Sequence, residues 1–176
     1  MPTVSECGID LFAGQLPAKE ELYKLNAAVN SSESAKIKFA KQAAEAAESG
    51  NALTAGIAFA MIGDNAGAIE NLEKAKDCYE KFMYLAWSLR KKGDYDAAIK
   101  ILDKAGKGSN DFEVVFEKAA VLRAAGKYDE AEQVLAKAAN LENVSAEYHY
   151  ALGRLLERQG KYADAIENYE RATELD

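Results

Sequence analysis

The side chains that most often carry catalysis or bind metals are few in this 176-residue sequence, and they lie far apart. The only histidine is His149, and the only cysteines are Cys7 and Cys78. A serine or cysteine nucleophile needs a base beside it, and a zinc site needs three or four neighbouring ligands. These residues supply neither, and the glycines form no GxxxxGK[ST] or GxGxxG phosphate motif. The sequence therefore predicts no catalytic residue, no metal site and no cofactor.

The charge balance and the apolar runs argue against two further classes of function. The chain has 22 Lys and Arg against 29 Asp and Glu, a net charge of −7. Nucleic-acid binding needs a concentrated basic face, so we expect no nucleic-acid partner. The longest apolar run, Ala52 to Ile62, is about half the length of a membrane span. The N-terminus has neither a basic start nor a long apolar stretch, so we expect a cytoplasmic protein without membrane insertion.

The elements that must position any functional residue are helices. Proline is limited to Pro2 and Pro17, and Ala, Leu, Glu and Lys are abundant, so helix is the only regular structure that the composition favours. Residues 146–176 read as two short amphipathic helices around Gly160, a residue that can adopt the left-handed conformation that ends a helix. The apolar stripes are Leu152 and Leu156 on the first helix, and Ala165, Tyr169 and Ala172 on the second.

The same pattern recurs upstream. Turn glycines at Gly63, Gly93, Gly126 and Gly160 are separated by 30, 33 and 34 residues. Small residues recur in step with them, and these let two helix backbones approach to roughly 8–10 Å. On the first helices they are Gly56, Ala86, Ala119 and Gly153, and on the second helices they are Ala68, Ala98, Ala131 and Ala165.

This pattern resembles the tetratricopeptide repeat family, whose units are helix–turn–helix pairs of about 34 residues. The match is closest at Leu152-Gly153, Gly160-Lys161-Tyr162, Ala165, Tyr169 and Ala172. The resemblance implies an all-α fold, a right-handed superhelical solenoid of antiparallel helix pairs. His149 and Cys78 then fall in packing columns, which predicts a structural role for the histidine and makes Cys78 a small buried hydrophobe.

The repeat spacing divides the chain into six segments. Residues 1–15 form an irregular arm, and residues 16–48 are either a degenerate first helix pair or an N-terminal cap. The predicted repeats are 49–78, 79–111, 112–145 and 146–176. The last repeat has no polar capping helix after it, which predicts that further repeats follow or that its exposed face binds something.

The family geometry implies that the first helices of the repeats line a concave groove. Trp87 stands out there, because large rigid aromatics are typical binding anchors. The lysines and asparagines with which some family members clamp a C-terminal carboxylate are absent at these positions, so an apolar or amphipathic partner segment is expected. The residues assigned to this predicted groove are Leu53, Ile57, Met83, Tyr84, Trp87, Arg90, Lys91, Phe116, Arg123, Tyr150, Arg154 and Arg158.

Two functions follow from the resemblance. In the first, the chain is a non-catalytic interaction scaffold that holds a peptide or helix of a partner protein in the groove. In the second, it is a self-assembling structural scaffold that associates into homo-oligomers through its C-terminal end or convex face. The groove is then silent or filled by residues 1–15, with Trp87 and Tyr84 packed beneath the arm.

Overall fold

All regular structure in the computed structural model is helical; the model describes residues 8–106, 111–139 and 145–175. The predicted all-α fold is therefore confirmed. The first seven residues of the predicted arm, including Cys7, lie outside the described residues. The helices are α1 (Lys19–Val29), α2 (Glu33–Glu48), α3 (Ala52–Ile62), α4 (Asn65–Lys74), α5 (Tyr79–Lys92), α6 (Tyr95–Ala105), α7 (Phe112–Ala124), α8 (Tyr128–Ala139), α9 (Ala146–Arg158) and α10 (Tyr162–Leu175).

The chain forms two compact units, which we describe separately. The first unit comprises residues 1–92 with helices α1 to α5, and the second comprises residues 93–176 with helices α6 to α10. The boundary falls at the turn glycine of the predicted repeat 79–111. The pairs α3–α4, α7–α8 and α9–α10 lie within the predicted repeats 49–78, 112–145 and 146–176.

Helix α3 is the centre of the first unit. It contacts α1, α2, α4 and α5, and so it is covered on several sides. A helix in that position has little surface for polar residues, which explains its almost uniformly apolar sequence. The side chains of Ala55, Ile57 and Ala58 are fully buried. The turn after α1 is fastened to the end of α3, because Asn30 Nδ2 donates a hydrogen bond to the Met61 carbonyl oxygen over 3.1 Å.

The small residues on the second helices of the repeats are buried as the spacing predicts. Ala68, Ala98 and Ala131 are completely inaccessible, and Ala165 is nearly so. Large apolar residues four positions later, Leu72, Leu102 and Leu135, are buried with them. In the second unit, Leu155 of α9 joins a core cluster with residues of α7 and α8, so consecutive helix pairs share one apolar interior.

The predicted turn glycines adopt the left-handed conformation. Their φ angles lie between 76° and 90°, a range in which a Cβ atom is strained. At Gly160, the N–H donates to the Glu157 carbonyl oxygen and the next N–H, of Lys161, donates to the Leu156 carbonyl oxygen. These bonds satisfy carbonyl groups at the end of α9 that have no partner inside the helix. The chain can then enter α10 after a single residue.

The described part of the N-terminal arm packs against α2. The Leu11 side chain is 1% exposed, and the Phe12 ring meets the Phe39 ring edge-on with the centroids 5.2 Å apart. The Phe12 N–H donates to the Asp10 carboxylate over 2.8 Å, which fixes the turn at this point. Leu11 is therefore part of the interior of the first unit, and Phe12 is half-buried against α2. The alternative in which residues 1–15 cover Trp87 and Tyr84 stays a prediction, because residues 1–7 lie outside the described residues.

Helix α4 ends earlier than the repeat pattern predicts, and this changes the position of Cys78. The Lys81 Nζ donates to the Ala75 carbonyl oxygen over 2.7 Å and lies 2.9 Å from an Asp77 carboxylate oxygen. These bonds hold residues 75–77 in an extended link, so Cys78 precedes α5 and is only partly buried. The expectation of a fully buried Cys78 is therefore wrong. Burial nevertheless raises the pKa of the Cys78 thiol, which keeps it protonated near neutral pH.

We expect Gly56→Ala to destabilise the protein by about 1–3 kcal/mol, the range of an overpacked core. A Cβ atom on Gly56 would lie 2.5 Å from Leu72 Cγ and 3.1 Å from the Leu72 backbone nitrogen. This clash outweighs the roughly 1 kcal/mol by which Ala is favoured over Gly inside a helix. Urea unfolding measures the change. In a Leu72→Ala background the side-chain clash is gone and only the 3.1 Å contact with the backbone nitrogen remains, so there the same substitution should destabilise the protein less; destabilisation of equal size in both backgrounds would contradict the assignment.

Leu11→Ala should destabilise the protein by about 2–4 kcal/mol, because the leucine is a buried core residue rather than part of a loose arm. Thermal and urea unfolding followed by circular dichroism measure this. Gln15→Ala, at an exposed position of the same segment, serves as the matched control and should change stability by less than about 0.5 kcal/mol. Equal stability of the two variants would show that the arm does not contribute to the core.

Candidate functional site

In the first unit, Trp87 on α5 keeps exposed surface although its neighbours in the helix are buried. Leu85, Ala86, Ser88 and Leu89 all face the interior, while Trp87 is only half-buried. The Lys91 ammonium lies 5.8 Å from the centre of the Trp87 ring, one helical turn further on. This is a cation–π contact, worth about 0.5–1 kcal/mol at an exposed position. Part of the Trp87 side chain therefore stays accessible to solvent although α5 is packed against the first unit.

The other predicted groove residues of the first unit divide into two groups. Leu53, Met83, Tyr84 and Arg90 are half-buried. Ile57 is completely buried, and its helix α3 is contacted by four other helices of the first unit. The assignment of Ile57 to an accessible groove is therefore wrong, since its side chain is already used in the core.

In the second unit, six side chains of α9 and α10 line an open cleft of about 650 Å³, here called the Tyr–Arg cleft. An Arg154 Nη1 donates to the Tyr150 hydroxyl oxygen over 3.1 Å, and the guanidinium carbon lies 5.7 Å from the centre of the same ring. The centroids of the Tyr150 and Tyr169 rings are 5.8 Å apart. The lining residues are Tyr150, Arg154, Glu157, Arg158, Tyr162 and Tyr169.

Hydrogen bonds link the ionisable side chains of the Tyr–Arg cleft. The Tyr169 hydroxyl donates to a Glu157 carboxylate oxygen over 3.0 Å. Burial and, after it, this hydrogen bond raise the pKa of the Tyr169 phenol, so the ring stays neutral. The hydrogen bond to Tyr150 raises the pKa of the Arg154 guanidinium. Arg158 is exposed, and among the described residues it has no hydrogen bond or ion pair.

The remaining predicted groove residues of the second unit lie on α7. Phe116 is half-buried and packs against the core cluster of Ala119, Leu122, Ala131, Leu135 and Leu155. Its ring also meets that of Phe112, with the centroids 6.1 Å apart. Phe116 thus contributes to the interior, with only part of its surface accessible. Arg123 is half-buried at the end of the same helix.

The single histidine, His149, makes a contact between two helices. His149 Nδ1 lies 3.0 Å from the Asn168 amide oxygen, so the ring links α9 to α10. Across residues 8–106, 111–139 and 145–175, no group of three His, Cys, Asp or Glu side chains is arranged to hold a metal ion. In the same described ranges, no helix combines the length and apolar character needed to cross a bilayer.

Three residues of the Tyr–Arg cleft were missed by the sequence analysis, namely Glu157, Tyr162 and Tyr169. The predicted groove lies on the first helix of each repeat, whereas Tyr162 and Tyr169 lie on the second. A signal was nevertheless present: they are seven residues apart, which places them on one face of a helix, and the family pattern had assigned Tyr169 to packing. The structure shows that its ring packs while its hydroxyl reaches Glu157.

Comparisons with known proteins agree with this architecture. Two tetratricopeptide repeat models match residues 89–155 and 146–176, which together make up half of the chain. No curated protein sequence matches at a significant level.

Among solved structures, MamA AMB-1 has 28% sequence identity and a TM-score of 0.56, with 71% of this chain and 77% of that chain covered. MamA MSR-1 has 23% identity and a TM-score of 0.56, with coverage of 80% and 96%. A tetratricopeptide repeat protein from Parabacteroides merdae has 14% identity and a TM-score of 0.60, with coverage of 89% and 78%. The repeated glycine turns, the buried alanine columns and these matches show that the chain belongs to the tetratricopeptide repeat family.

Proposed function

We propose that the protein is a non-catalytic scaffold that holds a segment of a partner protein on the accessible faces of the first helices of its repeats. The observation that carries the proposal is the half-buried Trp87, which lies among the buried residues Leu85, Ala86, Ser88 and Leu89 of the same helix. A partner side chain that covered this ring would bury a large apolar area at little cost in rotamer freedom.

The neighbours of Trp87 fit a peptide-binding surface. Met83 and Tyr84 lie one turn earlier on α5 and keep part of their surface, and Met adapts readily to irregular partners. Lys91 lies over the ring and can either move aside or contribute its charge to the partner. The residues proposed to contact a partner in the first unit are Leu53, Met83, Tyr84, Trp87, Arg90 and Lys91. Those in the second unit are Phe116, Arg123, Tyr150, Arg154 and Arg158.

Trp87→Ala should weaken capture of the partner by about 30-fold or more, the effect of losing a central aromatic anchor. The stability of the isolated chain should change by less than about 1 kcal/mol, because the ring is not part of a closed core. A pull-down with quantitative mass spectrometry measures capture, and urea unfolding measures stability. Ile37→Ala is the control, since Ile37 is 63% exposed on α2. Loss of about 3–5 kcal/mol on truncating Trp87 would show that the ring is core.

Self-association is the second candidate, and exposed apolar residues on α10 favour it. Tyr162, Ile166 and Leu175 are 66%, 58% and 54% exposed. In the preceding helix pair, Tyr128 occupies the position of Tyr162 and packs against the core cluster that includes Leu155 of α9. The equivalent surface on α10 has no such cover among the described residues, and we propose a second copy of the chain as its occupant.

If the chain self-associates through α10, its mass by sedimentation velocity should rise with concentration. Ile166→Glu together with Leu175→Glu should return it to a single chain at every concentration, because two charges would be buried without partners. Ile37→Glu is the matched control at an equally exposed isoleucine of the first unit. A constant mass in the unmodified protein would contradict this second function.

A further inference from the structure

The Tyr–Arg cleft brings two cations together on one helix of an acidic chain. Arg154 and Arg158 are four residues apart on α9, so their side chains leave the same face of the helix one turn apart. Like charges at this spacing destabilise an isolated helix. Among the described residues, Glu157 is the only acid that lines the cleft with them, and one of its oxygens already accepts the Tyr169 hydroxyl hydrogen bond. The cleft therefore has a net positive charge.

The two guanidinium groups are held differently. Arg154 is fixed by its hydrogen bond to Tyr150 and lies against the ring of that residue. One of its five N–H donors is used in this way, and the planar group can still bind a carboxylate through two parallel hydrogen bonds. Arg158 is exposed and has no ion pair among the described residues. One arginine is therefore positioned in advance, while the other is available to follow the ligand.

The aromatic part of the lining restricts the kind of ligand. Tyr162 is 66% exposed and Tyr169 keeps part of its ring accessible, so the walls offer apolar contact as well as hydroxyl groups. A ligand with a flexible aliphatic stem and an anionic end satisfies both features. The side chains of glutamate and aspartate in a peptide have this form, and the charge of the cleft is complementary to them.

We infer that the Tyr–Arg cleft binds side-chain carboxylates of an acidic segment in a partner protein, with Arg154 positioning one carboxylate and Arg158 pairing with the same or the next one. This inference rests on the proposed function as an interaction scaffold, and it adds the chemical class of the partner. The contact is with internal acidic residues, so it does not require the free C-terminus of the ligand.

The test uses the full-length chain and fluorescein-labelled hexaglutamate with an amidated C-terminus, followed by fluorescence polarisation. Hexaglutamine and hexalysine of the same length are the comparison peptides. We expect binding of hexaglutamate alone, weakening as salt is raised from about 50 to 500 mM because the cleft is open to solvent. Arg154→Gln and Arg158→Gln should each weaken binding about tenfold, as expected for the loss of a charge-assisted hydrogen bond.

The matched control is Arg171→Gln, which removes the same charge from α10 at a position outside the cleft, where the arginine is 3.7 Å from Glu174. It should leave the affinity within about twofold of the unmodified chain, in line with the small effect of an exposed ion pair. Glu157→Gln should tighten binding, since it removes an acid that lines the cleft, whereas Glu170→Gln on the exposed face of α10 should not.

Equal weakening by Arg171→Gln and Arg158→Gln would overturn the inference, because it would show binding to diffuse charge. Absence of hexaglutamate binding up to about 1 mM, a standard free energy weaker than roughly −4 kcal/mol, would overturn it as well.

Trp87→Ala should leave hexaglutamate binding unchanged, which separates this inference from the proposed role of Trp87. Loss of partner capture in Arg158→Gln with normal capture in Trp87→Ala would support the cleft and contradict the role of Trp87. Loss of capture in Trp87→Ala with normal capture in Arg158→Gln would contradict the cleft.

Discussion

The close approach of the two helices in the pairs α3–α4, α7–α8 and α9–α10 is the constraint on which the rest of the structure depends. It requires a position without a side chain, or with a small one, on the first helix, opposite a large residue on the second. In the last pair, a Cβ atom on Gly153 would lie 2.7 Å from the Tyr169 ring and 3.2 Å from the Ala165 carbonyl oxygen. The missing side chain is what allows the ring to lie across α9.

This packing constraint also builds the Tyr–Arg cleft. With its ring held over Gly153, Tyr169 places its hydroxyl at Glu157 and its edge near Tyr150. Tyr150 in turn orients the guanidinium of Arg154. Each contact restricts a side chain that would otherwise sample several rotamers. Because the packed helices already hold these side chains in place, less conformational entropy is lost when a ligand binds. Repeat packing therefore accounts for the fold and for part of the geometry of the candidate site.

The sequence was sufficient where local chemistry decides the structure. Helix α2 begins after Ser32, whose hydroxyl accepts a hydrogen bond from the Ala35 N–H, and α3 ends at Gly63, which adopts the left-handed conformation. The alanine columns were predictable because backbone approach leaves no room for larger residues. These features depend on neighbours three to seven positions away, and periodicity reports them directly.

Tertiary contacts decide the features that periodicity could not predict. Ile57 occupies a column expected to face a groove, but its side chain is completely buried in a helix that four other helices contact. Helix α4 ends early because Lys81, six residues beyond Ala75, supplies a hydrogen bond to its carbonyl oxygen. Leu11 and Phe12 have no helical period, and Phe12 packs against Phe39 on α2, which is distant in the sequence. Each case depends on a residue that no local pattern connects to the one affected.

The two candidate surfaces share one local arrangement but present different chemistry. In α5 the cation Lys91 follows the aromatic Trp87 by four residues, and in α9 Arg154 follows Tyr150 by the same step, at almost the same distance from the ring. Lys91 covers a large apolar ring, so displacing it exposes area that an apolar partner residue can bury. In α9 the smaller ring holds the arginine, and a second arginine one turn later is left exposed. In α5, the Trp87 ring is larger than the area that Lys91 can cover, so the same spacing favours an apolar anchor in the first unit. In α9, the two arginines carry more charge than Glu157 can neutralise, so there it favours an anionic ligand.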